Sequence, residues 1–229
     1  MQKTSVNEAS IFAVRETRTE DAGTKSSANC PVQDTLFTGL ARFAKCEYRR
    51  DSMRTENLKP QDVLVACKIF AQNLLRAECL YVSLAEDLGL STSTVHESVE
   101  RCRKSLLLLP SGWNVSAKYL RDLLVVAVPR VFYAVRGGVG RGLPTSVHAP
   151  VLAGKFKATG LPVVWREDDA PEGLPEGQGL EPLYPTVPAA CRLDNVLYEL
   201  LALSDVMRIG SASERTLAVD LVDRRLASK

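Results

Sequence analysis

Residues 81–105 read YVSLAEDLGLSTSTVHESVERCRKS, and they divide at Gly89 into two short amphipathic segments. Ser83 and Glu86 have capping-box spacing, which predicts a helix starting near Leu84. Leu84, Ala85 and Leu88 share one face of it, and Ala85 is small enough for a second helix to cross closely. Gly89 can take the positive φ that ends a helix abruptly. Leu90 follows as an apolar plug for the turn. Ser91 is a good N-cap for a second helix whose inward stripe is Val95, Val99 and Cys102.

The opposite face of that second helix carries Thr92, Ser93, His96, Glu97, Ser98, Arg101 and Lys104. It is short and hydrogen-bonding at its start and basic at its end. A DNA major groove asks for this order, with small donors and acceptors at base edges and cations at phosphates. Thr92, Ser93 and His96 are the candidates for base edges. Glu97 can accept from a cytosine amino group. Ser91, Thr94, Arg101 and Lys104 fall near the backbone, and Arg103, Arg136 and Arg141 complete the candidate contact set.

At these residues the chain resembles the winged helix-turn-helix transcription regulators, loosely the MarR-like group. The matching motif is LAEDLGLSTSTVHESVERC, within a likeness running from about Leu58 to Leu109. The resemblance implies a sequence-specific DNA-binding regulator, a repressor of its own or a neighbouring operon. A two-fold homodimer would set two such helices ~34 Å apart on a palindromic operator. A plain helical hairpin in some other domain is the alternative reading of the same residues.

KPQDVLVACKIFAQNLL, residues 59–75, is a predicted helix opened by Pro60. Val63, Ala66, Cys67, Phe70, Ala71 and Leu74 recur at helical spacing and should cover the two helices of the motif. After it, LLLLPSGWNVSAKYLRDLLVVAVPRVF occupies residues 106–132. Leu106 to Leu109 suit a strand and Pro110–Gly112 a turn, but the return strand is brief, so a wing is expected to be stunted or absent. Ser116 should cap a helix that Pro129 halts.

Residues 101–141 hold eight Lys or Arg (Arg101, Arg103, Lys104, Lys118, Arg121, Arg130, Arg136, Arg141) against one acid, Asp122. On a chain of net charge +2 this is a local positive footprint, as DNA binding requires. RGGVGRG, residues 136–142, has neither the Lys-Ser/Thr of a P-loop nor GxGxxG spacing. It reads as a flexible turn between strands, or as backbone amides with Arg136 or Arg141 touching phosphates. His148 reads as a loop histidine.

The outer parts of the chain are less specific. Residues 1–55 suit a flexible arm with a short helix in DTLFTGLARFAKC. Lys45, Arg49, Arg50 and Arg54 form either a solvated face or a DNA-contacting arm. Met53 offers an alternative start, and peptides from before it in native protein would exclude that. Residues 56–142 form the expected (winged) helix-turn-helix domain. Residues 143–192, rich in Pro and Gly, read as an acidic connecting segment. Glu167, Asp168, Asp169, Glu172, Glu176 and Glu181 read there as solvated loop carboxylates, and Trp165, Leu183 and Tyr184 are its anchors. Residues 193–229 form a helical pair, with Asp194 and the Ser211/Glu214 box as caps, completing the core or a dimer interface.

The expected fold is therefore mainly α with small β content. Six scattered cysteines without a CxxC pair, and two histidines, give no disulfide frame and no metal set. No run approaches the ~18 apolar residues of a membrane span, and the first residues do not form a secretion signal. A cytoplasmic protein is expected, with no catalytic residues, cofactor, metal or membrane partner; an effector is not specified. The competing functional class is a non-enzymatic interaction module, antitoxin-like or complex-assembling, on the same fold. An enzyme is disfavoured because no nucleophile or phosphate-loop signature occurs.

Overall fold

A computed structural model describes residues 57–228, and the expected arm, its short helix, its basic run and Met53 lie outside them. The described residues are mainly helical, with one small sheet. They share one hydrophobic core drawn from residues 63–226.

The first helix, α1 (Pro60–Leu75), begins as expected at its proline, and the Lys59 N–H donates to Asp62 Oδ2 at 2.8 Å. Its apolar run is buried on more than the expected face, because Leu64, Val65 and Ile69 are also fully covered. Later helices account for that second side. The second helix, α2 (Tyr81–Leu88), starts earlier than the Ser83–Glu86 spacing predicts. Leu80 is the N-cap and its carbonyl takes the Leu84 N–H at 3.0 Å, so Ser83 falls inside the helix. Gly89 ends it at φ +62°, and the Leu90 N–H reaches back to the Ala85 carbonyl at 2.9 Å. Three residues later α3 (Thr92–Lys104) begins, capped by Ser91 Oγ, which accepts from the Thr94 N–H at 3.1 Å. Val95, Val99 and Cys102 are fully buried, as the stripe predicts.

Residues 107–116 form a minimal hairpin. Leu108 pairs with Val115, the Leu109 N–H donates to Asn114 O at 2.9 Å, and the Ser116 N–H donates to Leu107 O at 2.8 Å. Gly112 makes the turn at φ +82°. Ser116 caps α4 (Ala117–Asp122), which runs on through a π-helical turn, Leu123–Ala127, into α5 (Val128–Val131). Pro129 therefore does not halt the helix. The wider turn accommodates its ring, and Arg130 Nη1 donates to the Val126 carbonyl at 2.8 Å.

RGGVGRG is not a turn. It lies in β1 (Arg136–Pro144), which pairs antiparallel with both β2 (Val163–Arg166) and β3 (Glu176–Leu180). The last two are parallel, so the three strands close on themselves. The glycines permit this closeness. A Cβ on Gly142 would stand 1.9 Å from the Trp165 carbonyl oxygen, and one on Gly177 would stand 2.3 Å from that of Pro162. Residues 143–192 are thus not a connecting segment, because they supply β2, β3 and α6 (Val187–Leu193), with Trp165 in the core. Leu183 and Tyr184 pack against that core. Two of the acids expected to be solvated hold arginines, Glu167 pairing with Arg192 at 2.5 Å and Asp168 with Arg166 at 3.0 Å.

The central element is α7 (Asn195–Ile209), buried on every side from Leu197 to Met207. Asp194 caps it as expected, accepting from the Val196 and Leu197 N–H groups at 3.0 Å. Beside it, α8 (Ala212–Ala227) buries Ala218, Leu221, Val222 and Leu226. The apolar faces of this pair complete the core. Asp205 of α7 ties the sheet to the helices. Its Oδ2 accepts from Trp165 Nε1–H at 2.6 Å and Thr145 Oγ1–H at 2.7 Å, and its Oδ1 from Arg208 at 2.8 Å. Burial pushes this carboxyl above its ordinary range, with Arg208 pulling the other way.

The Ser211/Glu214 capping box forms as read, with the Ser211 N–H donating to Glu214 at 2.7 Å. That backbone hydrogen bond holds the Glu214 carboxyl below its ordinary range. A depressed carboxylate stabilises the fold above its unfolded value, near 4.5, and this contribution is lost as pH falls through the folded value. Glu214→Gln is therefore expected to flatten the acid limb of the urea midpoint plotted against pH. A profile unchanged by the substitution would contradict it.

Candidate functional site

On α3 the inward stripe leaves the opposite half of the helix to solvent. Thr92, Ser93, His96, Glu97 and Lys104 are all exposed there, and Thr94 is half-buried. The three hydroxyls at its start are organised. Ser91 Oγ lies 2.8 Å from Thr94 Oγ1 and 3.0 Å from Ser93 Oγ, besides capping the helix. Ser91 therefore has its oxygen engaged within the protein, while Thr92, Ser93 and His96 project outward from the first two turns.

Ser98 and Arg101 are not on this face. Both are buried, Arg101 at 3% exposure. The Arg101 guanidinium makes a bidentate pair with Asp62 of α1, with Nε to Oδ2 and Nη2 to Oδ1 both at 2.8 Å, and a bond to Ser98 Oγ at 3.1 Å. Its expected role as a phosphate contact is thereby corrected: the residue locks α3 to α1. The reason is the partner rather than the helical wheel: the buried Asp62 carboxylate of α1 draws the long Arg101 side chain inward. Glu97 stands over the pair at 3.5 Å from Arg101 Nη1.

Arg103 is half-buried and held by Glu100 at 2.7 Å, with its guanidinium 5.9 Å from the Trp113 ring centre. Arg121 is taken by Asp223 of α8 at 2.5 Å. The positive footprint read from residues 101–141 is therefore thinner than the count of eight suggests. Lys104, Lys118 and Arg130 remain exposed near the helices. Arg136 and Arg141 are exposed on another element, β1, where Arg141 stands opposite Glu176.

Two tethers hold α2 and α3 against the rest of the fold. Buried Lys68 of α1 donates to Asp194 and pairs with Asp87 of α2, both at 3.0 Å. Thr186 packs on Gly89, where an added Cβ would meet it at 3.5 Å. Sequence reasoning missed Asp62, Lys68, Tyr81 and Trp113 as residues that present the face. The available signal was Asp62 and Lys68 themselves, charged residues inside an otherwise apolar helix.

No protein-family model, curated protein or solved structure matches this chain significantly. The chemistry must therefore be read from the residues alone. His148 ends a short 3-10 turn, Ser146–His148, rather than lying in a loop, and its Nδ1 accepts the Val163 N–H of β2 at 3.4 Å. Cys67, Cys79, Cys102 and Cys191 are buried free thiols, and burial pushes Cys67 up to about 12. Among the described residues no group of three His, Cys, Asp or Glu side chains could hold a metal ion, and no helix is long and apolar enough to cross a membrane. A cleft of about 410 Å³ runs as an open groove along the sheet beside Arg166, Asp168 and Glu181.

Proposed function

We propose that the protein is a sequence-specific regulator that binds double-stranded DNA, with α2 and α3 as a helix-turn-helix and the 107–116 hairpin as a reduced wing. The observation that carries this reading is the outward face of α3. Short hydroxyls and an imidazole project from its first turns, and Lys104 stands at its end. That helix is held rigidly by the Arg101–Asp62 pair behind it. A rigid helix presenting small polar groups at its N-terminal end suits a major groove. Thr92, Ser93 and His96 face base edges in this reading, and Glu97 a cytosine amino group. Thr94 and Lys104 approach phosphates, and two copies of the chain bind a palindromic site.

The test is selection of bound duplexes from a pool with a randomised centre, followed by affinity measurements on the enriched sequence. His96→Ala is expected to lose ~1–3 kcal/mol at one base position. Lys104→Ala should weaken all sequences alike and lower the salt slope by about 1. If both variants bind the enriched sequence like wild type, α3 is not the reading element.

One observation favours an interaction module. Val131, Tyr133 and Val135 are 62%, 75% and 44% exposed, and they border an open cleft of about 240 Å³ with Leu183 and Pro182. Exposed apolar side chains gathered at one place mark protein contacts more often than solvent. Insensitivity of DNA affinity to the α3 face would favour this second reading.

A further inference from the structure

We infer that Tyr81 and Trp113 set the orientation of His96, so that the 107–116 hairpin influences base reading from beside α3 without touching DNA. The inference rests on the DNA-binding reading above. His96, Glu100 and Arg103 are spaced i, i+4, i+7 and share one stripe along α3. Two aromatic residues from other elements lie along that stripe. Tyr81, the first residue of α2, has its ring centre 5.3 Å from that of His96 at a tilt of 36°. Trp113, from the hairpin, meets Tyr81 edge-on at 4.8 Å and 64°. The Arg103 guanidinium stands 5.9 Å from the Trp113 ring centre, and Glu100 holds Arg103 at 2.7 Å. The string His96–Tyr81–Trp113–Arg103 thus begins and ends on α3.

The burial along this string gives it a direction. Tyr81, Trp113 and Arg103 are half-buried, whereas His96 is exposed. The inner members are fixed by packing, and only the last ring faces solvent. An exposed imidazole on a bare helix samples several rotamers and loses that freedom when it docks. Leaning on Tyr81, it is already restricted before any base is met. A restricted donor or acceptor cannot swing away from a mismatched base, so restriction sharpens discrimination. Edge-to-face and tilted ring pairs at these separations are attractive, which makes the string a restraint rather than a coincidence of crowding. A hairpin this short has little reach of its own, and its visible role is to carry Trp113 to Tyr81. Tyr81 and Trp113 are positioning residues in this scheme, and His96 is the group that meets the base.

The test pairs a readout on the free protein with one on DNA. Tyr81→Leu removes the ring and Tyr81→Phe keeps it; thermal unfolding of both checks that they fold. In the free protein the His96 ring protons are expected upfield, shielded by Tyr81. They should move toward ordinary imidazole positions in Tyr81→Leu and stay in Tyr81→Phe. His148 is the only other histidine, so His96→Ala identifies the signals. In parallel, each protein selects from the pool of duplexes with a randomised centre. Tyr81→Leu is expected to lose preference at one base position by about five-fold or more while the rest of the enriched motif persists. Tyr81→Phe should keep the wild-type motif. If Tyr81→Leu does not fold, Trp113→Leu removes the next ring and should produce both effects more weakly. Unmoved ring protons, or an unchanged motif from a folded Tyr81→Leu, would overturn the inference. A wild-type protein that enriches no motif fails the DNA reading itself and takes the inference with it, and the proton shifts then report the ring stack separately.

Discussion

Asp62→Ala is expected to destabilise the protein by about 3–5 kcal/mol, although the residue lies outside the proposed DNA-binding face. Its carboxylate is fully buried and takes both arms of the Arg101 guanidinium, itself 3% exposed. Removing Asp62 leaves the Arg101 charge in the core with only Ser98 Oγ at 3.1 Å and the exposed Glu97 carboxylate at 3.5 Å. Arg101→Ala should cost a similar amount for the same reason, leaving Asp62 with the Lys59 backbone N–H. The informative variant is the pair. Asp62→Leu with Arg101→Met replaces both charges by apolar groups of similar length and should recover most of the loss. Urea unfolding of the two singles and the double measures the coupling. A double variant no more stable than the worse single would show that the pair is not what matters there. The same substitutions separate structure from recognition. On the surface reading, Arg101→Ala weakens DNA binding by losing a phosphate contact. With Arg101 buried, the DNA-binding proposal expects weaker binding only through the fold, and the double variant should keep its salt slope.

The second large effect is expected at Asp205. Replacing it by alanine strands three donors at once: the Trp165 indole N–H, the Thr145 hydroxyl and the Arg208 guanidinium. Arg208 retains carbonyl partners at Phe132 and Tyr133, at 2.9 and 3.0 Å, but its charge is left uncompensated. A loss of about 3–5 kcal/mol is expected. Asp205→Asn should be milder, because an amide oxygen can still accept from one of the donors. The damage should begin at the sheet, since Asp205 holds Trp165 of β2 and Thr145 just after β1, leaving the Tyr198 hydroxyl bond to the Pro144 carbonyl as a remaining link to α7. In a Trp113→Phe background Trp165 is the remaining tryptophan. Its emission should shift red in Asp205→Ala before the helical signal is lost in a urea titration. Coincident loss of both signals at the wild-type midpoint would contradict this.

The parts of the fold legible in the sequence are those decided by neighbours in the chain. Gly89 ends α2 and Ser91 caps α3 because each acts on residues within one turn of itself. The Val95, Val99 and Cys102 stripe follows from helical spacing alone, as do the Asp194 cap and the Ser211/Glu214 box. Local patterns also misled. Ser83 and Glu86 have the spacing of a capping box, yet the Leu80 carbonyl closes the first turn upstream of them. Pro129 has the form of a helix stop, yet a π turn lets the helix pass it.

What was illegible depends on distant partners. Arg101 looks like a surface cation until Asp62, 39 residues earlier, is set against it. Trp165 and Asp205, 40 residues apart, meet only after the sheet has closed. RGGVGRG has the composition of a turn, and it is a strand because close backbone neighbours at Gly142 leave no room for a side chain. The candidate face divides the same way. Thr92, Ser93, His96 and Glu97 could be placed outward from spacing alone. Tyr81 and Trp113, which lie beside His96, come from other elements.

The most direct test of the DNA-binding proposal is a gel shift with the duplex immediately upstream of the protein's own gene, against a scrambled duplex of the same composition, at low and at physiological salt. The expected result is a complex with the upstream duplex that persists at physiological salt, together with loss of the scrambled complex. Equal binding to both duplexes that vanishes with salt would contradict the proposal and leave only a basic surface.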